Sequence, residues 1–141
     1  MSIWFGGVDL DFITTRGKNT MIEHLGIELL EAGDDFLKAR MPVDHRTKQP
    51  AGLLHGGASV ALSETVASLG ATYAVDREKF HCVGLEINAN HVRSATDGYV
   101  YAVARPAHLG RNTHVWEVKI TDEAGKLVCI SRVTMAILAK G

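Results

Sequence analysis

The segment from His55 to Tyr73 contains a single carboxylate, Glu64, with no lysine, arginine or proline. It is rich in Ala, Leu, Val, Ser and Gly, and it is long enough for about five turns of helix. Ala58, Ala61, Leu62, Leu69 and Tyr73 recur at helical spacing, and the other side carries Ser59, Ser63 and Ser68 together with Glu64. A helix without a charged stripe has no ordinary solvated face. Its many small side chains let neighbouring backbone approach closely. The pattern therefore predicts a helix swallowed by a sheet rather than one lying on a surface, and few folds satisfy that.

The flanking sequence supplies the sheet. Over residues 36–41 the chain alternates, with Leu37, Ala39 and Met41 set against Phe36, Lys38 and Arg40, and Pro42 ends the run. After the helix, residues 83–92, 99–105, 113–121 and 127–138 alternate or run apolar with β-branched side chains. Asp122-Glu-Ala-Gly125 is a turn signal that makes the last two a hairpin. Near the start, Asp9 is placed to cap a turn through Phe12 and Ile13. Thr20-Met-Ile-Glu23 has the capping-box pattern, with Gly26 as its stop. Residues 44–54 read as a loop. Small helices, one or two strands, a long central helix and four closely connected strands describe an α+β domain spanning residues 1–141. Such a sheet exceeds what one helix covers, so part of it is expected to be buried in an oligomer.

Charge and cysteine content exclude several classes. Fifteen basic against sixteen acidic residues leave no strongly basic surface for nucleic acid. Cys82 and Cys129 have no partner at zinc spacing, and the histidines form no metal-binding pattern, so neither a metal nor a resident cofactor is expected. No apolar run is long enough to span a membrane, and the acidic N-terminus lacks the features of a signal peptide, so a cytoplasmic location is expected. His24, His45, His81 and His114 read as ordinary surface or interface histidines.

The chemistry concentrates around the start of the long helix, in Gln49-Pro-Ala-Gly-Leu-Leu-His55-Gly56-Gly57-Ala58, followed by Glu64 and Ser68. The first backbone N–H groups of a helix have no internal partner and carry about half a positive charge, which favours an anion or a polarised carbonyl oxygen. Glycines at 56 and 57 leave those amides uncovered. Glu64 has no Lys or Arg three or four residues away, and Ser68 at i+4 is placed to donate a hydrogen bond to it. A lone carboxylate on a buried helix is costly unless it is used. Small side chains at Val60, Ala67, Ser68 and Ala71 leave room on that helix for a bulky group.

These segments, with VGLEINANHVRSA and HLGRNTHVWEVKITDEAGKLVCISRVTMAIL, resemble the hotdog-fold acyl-CoA thioesterases. The branch they are most similar to holds the 1,4-dihydroxy-2-naphthoyl-CoA thioesterases and the aryl-carrier-protein proofreading thioesterases. The likeness runs from about Leu25 to Leu138, and Gln49 and Glu64 flanking His55-Gly56-Gly57 make it specific. It implies a long helix wrapped by a curved antiparallel sheet, subunits paired edge to edge, and dimers associating into a tetramer. It further implies a site shared between two subunits, with Gln49 and His55 from one and Glu64 from the other. In that site the Gly56 N–H holds the thioester carbonyl, Glu64 acts as nucleophile or general base, and Ser68 places Glu64 or its water. Coenzyme A, as part of the substrate, is expected near Gly57 and Val60, near His91, Arg93 and Ser94, and near His108, Gly110 and Arg111.

The residues leave other readings open: a carrier-protein thioesterase, a dehydratase of the same fold, a non-catalytic acyl-CoA binding module, or a structural oligomer. No metal is needed for thioester hydrolysis, because one carboxylate and an oxyanion-stabilising helix end suffice.

Overall fold

Helix α3 (Gly56–Ala74) packs across one face of a six-stranded antiparallel sheet in the computed structural model, which describes residues 1–141. The strands are β1 (Glu28–Ala32), β2 (Leu37–Pro42), β3 (Phe80–His91), β4 (Tyr99–Leu109), β5 (Thr113–Thr121) and β6 (Leu127–Ala139), in the spatial order β1-β2-β4-β5-β6-β3. Two short helices, α1 (Leu10–Arg16) and α2 (Met21–His24), precede them. The α+β hotdog arrangement expected from the sequence is present, with one long helix cradled by the sheet.

Close backbone approach holds α3 in place. A β-carbon on Gly70 would lie 2.7 Å from the fully buried Trp116 ring, so glycine there lets the indole slide beneath the helix. Leu62, Val66, Ala67 and Ala71 are likewise fully buried, against inward-facing Leu37, Ala39, Met41, Val100, Val118 and Val133. Ser59 and Ser63 are buried on the same side, and the Ser63 hydroxyl has no partner. The expected division of α3 into an apolar side and a serine side is therefore corrected. The sheet selects by size, and serine is small enough to face it.

The local signals behave largely as expected. Asp9 caps α1 by accepting from the Phe12 N–H at 3.1 Å, and Thr20 caps α2 by accepting from the Ile22 N–H at 3.2 Å. Glu23 accepts from the Asn19 N–H instead of closing the capping box on Thr20. Gly26 turns the chain at φ 72°, and Gly125 forms the β5–β6 turn at φ 80°. The N-terminus is tied to the core by Trp4, which stacks on Trp116 at 6.3 Å and donates to the Gly33 carbonyl at 2.6 Å.

β3 forms a free edge of the sheet, and its twelve residues pair on one side only, with β6. Val83 and Leu85 on it are 43% and 60% exposed. A long edge strand with exposed apolar side chains is a template for pairing with another chain. No helix is long and apolar enough to cross a membrane.

Candidate functional site

The start of α3 is built by the loop before it. Residues 48–54 close into a tight turn: the Gln49 N–H donates to Leu53 O at 2.8 Å, Gly52 turns at φ 84°, and Lys48 bridges Leu54. The Gln49 Oε1 accepts from the Ala51 N–H, which leaves its NH2 group free to donate outward. The backbone of His55 is anchored to the buried Thr47 through a 2.8 Å bond to the Thr47 carbonyl, so the loop and the helix start move as one piece.

His55 is the N-cap of α3. Its Nδ1 accepts from the Gly57 N–H at 2.8 Å, which assigns the ring proton to Nε2 and makes that nitrogen a donor. The Gly57 amide is thereby used, and the Gly56 amide remains as an orphan at the helix end. His91, at the end of β3, stands over it, since a β-carbon on Gly56 would lie 2.9 Å from His91 Nε2. Gln49, Gly56, His91, Arg93 and Ser94 line one groove of about 410 Å³.

Glu64 lies elsewhere on the same helix. It lines a second groove of about 530 Å³ with Gly57, Val60, Ala61, Thr65, Ser68 and Leu69, and with Met21 and Ile22 of α2. Its side chain is exposed, contrary to the expectation of a buried carboxylate, and no cation pairs with it. It rests against Gly84 of β3, where a β-carbon would meet Oε2 at 2.8 Å. The β3–β6 register shifts between Gly84 and Glu86, so a bulge adjoins the carboxylate. Gly84 was not singled out from the sequence. The available signal was a glycine inside an otherwise apolar strand, which marks close approach by another group.

Two expectations for this helix face are corrected. The Ser68 hydroxyl lies 3.7 Å from Met135 Sδ rather than on Glu64, because its side chain turns down to the sheet. Ala67 and Ala71 are fully buried against the sheet, so they cannot line an acyl pocket. Val60 lines the groove as expected, and Ala61, Thr65 and Leu69 take the places of the two alanines.

Gly56 and Glu64 are eight residues apart on one straight helix, about 12 Å along its axis. A carbonyl held at Gly56 is thus out of reach of the same chain's Glu64. The basic residues divide in a similar way. Arg93 leaves β3 beside Val128 at the start of β6, while the turn holding Gly110 and Arg111, which follows His108 at the end of β4, bonds through Asn112 to Ile137 near the end of β6. Nine residues of strand separate Val128 and Ile137, about 30 Å, so the single chain does not gather these groups into one cluster. His108 folds over Gly110, where a β-carbon would lie 2.5 Å from its Nε2.

His114 is not a surface residue. It is 3% exposed and its Nδ1 accepts from Trp116 Nε1 at 3.3 Å. Burial, helped by His108, lowers its pKa below the ordinary histidine value. The alternation of β5 turns it inward with Trp116, which it accompanies at i−2.

The arrangement offers an open helix N-terminus that can stabilise an oxyanion and, on another part of the surface, an unpaired carboxylate. Comparison with known proteins agrees with that chemistry. The model of the thioesterase superfamily matches residues 51–129. The 1,4-dihydroxy-2-naphthoyl-CoA hydrolase of Escherichia coli is 50% identical, over 96% of this chain and 99% of its own. The proofreading thioesterase EntH of Cronobacter sakazakii is 48% identical, over 96% of this chain and 98% of its own. A crystal structure of a mutant thioesterase from Pseudomonas aeruginosa superposes with a TM-score of 0.97 at 47% identity, covering 99% of this chain and 100% of that one. With relatives of this identity spanning nearly its whole length, the chain belongs to the thioesterase superfamily and is a thioester hydrolase of the hotdog fold.

Proposed function

We propose that the protein hydrolyses acyl-CoA thioesters, aromatic ones among them, at a site shared by two copies of the chain. The observation that carries this reading is the 12 Å of helix, about, that separates the Gly56 amide from Glu64. Each half of the chemistry is present once per chain, and a second chain supplies the other half. The free β3 edge supports such pairing. If two helices lie antiparallel with Gly56 of one beside Glu64 of the other, the two-fold axis passes near Val60. Because His91 adjoins Gly56 and Gly84 adjoins Glu64, the same axis crosses β3 near Ile87 and Asn88.

In this reading the thioester oxygen accepts from the Gly56 N–H, with His55 Nε2–H and the Gln49 amide as neighbouring donors. One such donor is worth about 10²–10³ in rate. Glu64 either adds to the carbonyl carbon or removes a proton from an attacking water. The carbon–sulfur bond then breaks, and the electron pair leaves on the CoA sulfur, which takes up a proton. In the first route an acyl-Glu64 anhydride is next hydrolysed by water. Arg93 and Ser94 of one chain, and His108, Gly110 and Arg111 of the same or the other chain, hold the nucleotide phosphates. No resident cofactor is required. The Cronobacter relative is named a proofreading thioesterase, and the family resemblance implies that such enzymes act on carrier-protein thioesters, which gives a second reading.

The test is hydrolysis of a panel of benzoyl, naphthoyl and alkyl thioesters, on CoA and on carrier protein, by wild type and Glu64→Gln. The expected result is turnover of aryl-CoA esters that Glu64→Gln lowers about 10³-fold or more while CoA-ester binding persists. Unchanged turnover in that variant would remove Glu64 from the mechanism. Single turnover in ¹⁸O-water tests the anhydride route: attack of water on the Glu64 carbonyl of the anhydride leaves label in the Glu64 carboxylate, which the general-base route never does.

A further inference from the structure

The groove at Glu64 does not end there. Met21, Ile22 and Leu69 line it and also line a larger cavity of about 550 Å³ that continues along α3, with α1 and α2 as its outer wall. Phe12, Met21, Ile22, Leu69, Tyr73 and Phe80 make this cavity apolar. Arg16, Arg77, His81 and Lys140 also line the cavity, and no carboxylate does; Arg77, whose carbonyl accepts from Lys140 Nζ, follows the last turn of α3 and so marks the end away from Glu64. None of the three full cations takes part in an ion pair, although Arg40, Arg46 and Arg105 elsewhere in the chain do.

These basic side chains are held in place by the cavity wall. The Arg77 guanidinium stacks over the Tyr73 ring at 4.3 Å and donates to Phe5 O at 3.3 Å. Lys140 Nζ donates to the Arg77 carbonyl, and Arg16 lies over the Phe12 ring at 5.9 Å. Aromatic faces hold cations where charged partners would otherwise be expected. An apolar channel that opens at one end beside the reacting carboxylate, and at the other among unpaired cations, fits one kind of occupant: an extended apolar chain with an anion at its far end.

We propose that this channel is the distal acyl subsite, and that its basic mouth selects acyl groups ending in a carboxylate over alkyl acyl groups of equal length. The inference rests on the proposed use of Glu64 in thioester hydrolysis. Tyr73 lies nine residues beyond Glu64, about 13 Å along the helix. At an advance of roughly 1.3 Å for each carbon–carbon bond of about 1.5 Å, an acyl chain of about ten to twelve carbons brings its end to the mouth. Each exposed ion pair contributes about 1.5- to 5-fold, so two or three together give about tenfold, and added salt weakens the preference.

The experiment compares kcat/KM for the mono-CoA ester of dodecanedioic acid, lauroyl-CoA and benzoyl-CoA. It uses wild type, the double variant Arg16→Ala/Lys140→Ala, and Leu69→Trp, each checked for an unchanged melting temperature. Wild type is expected to prefer the ω-carboxy ester to lauroyl-CoA by about tenfold. The double variant loses that preference with benzoyl-CoA turnover unchanged. Leu69→Trp, which blocks the channel, slows both twelve-carbon esters at least severalfold more than benzoyl-CoA. Equal rates on the two long esters in wild type, or a Leu69→Trp that slows all three alike, overturns the subsite while leaving the thioesterase reading intact. Failure to hydrolyse any of the three overturns both.

Discussion

The Glu64 carboxylate lies against the backbone of Gly84, with no room between them for a methyl group: a β-carbon at position 84 would stand 2.8 Å from Glu64 Oε2. Strand β3 thus sets where the carboxylate rests. Gly84→Ala is expected to displace Glu64 and lower kcat by about 10- to 100-fold, since a misplacement near 1 Å costs about that much. KM and melting temperature should change little, because position 84 is exposed on an edge strand and has no left-handed φ. A Gly84→Ala enzyme with wild-type kcat would show that the contact does not position the reacting group.

His55 has two tasks, which substitution can separate. Its Nδ1 caps α3 through the Gly57 N–H, and its Nε2–H is left to donate to substrate. His55→Asn keeps a capping oxygen and should retain the wild-type melting temperature, whereas His55→Ala should lose about 1 kcal/mol of stability. Both should lower kcat/KM about equally. If His55→Asn kept full activity, capping would be the whole role of this residue.

A shared site makes inactive variants complementary. Mixing Glu64→Ala with His55→Ala, after unfolding and refolding together, should restore about a quarter of wild-type activity, because each mixed dimer regains one intact site. The proposed axis adds a structural check: Asn88→Cys, at the centre of the paired β3 strands, should form an intersubunit disulfide on mild oxidation, and Asn90→Cys should do so poorly. Absence of recovery in the mixture would mean that both halves of the site come from one chain.

The buried His114 should make the fold sensitive to mild acid. Burial lowers its folded-state pKa below the ordinary 6.5, so the unfolded chain takes up its proton first as pH falls. Its contribution is complete above the ordinary value and declines as pH drops through the window between 6.5 and the lowered value. Melting temperature measured from pH 8 to pH 5 should fall below about 6.5, and His114→Gln should flatten that part of the curve. A variant with an unaltered profile would assign the acid sensitivity to other groups.

How far the sequence could be read depended on whether a feature was local. The bounds of α3, the inward Leu37-Ala39-Met41 alternation and the turn at Gly125 depend on neighbours in the chain, and they appear where the pattern put them. The facing of α3 was only half legible. Ala, Ser and Gly are nearly interchangeable to a sheet that needs small residues, so Ser63 is buried and Ala67 is removed from the substrate side. His114 was misread for a related reason: a histidine one strand period from a tryptophan gains its environment from the sheet register, which single-residue reasoning does not supply.

The residue types needed for thioester chemistry, and the helix end that serves it, are written in one continuous stretch from Gln49 to Ser68, because capping and helical spacing act over short range. Tertiary structure decided what those residues meet. It set Glu64 against Gly84, gave Ser68 to Met135, kept the Gly56 amide about 12 Å of helix away from the carboxylate, and left one side of β3 unpaired at the sheet edge. Each of these follows from packing between elements distant in the chain, where rotamer, register and close backbone approach are settled together.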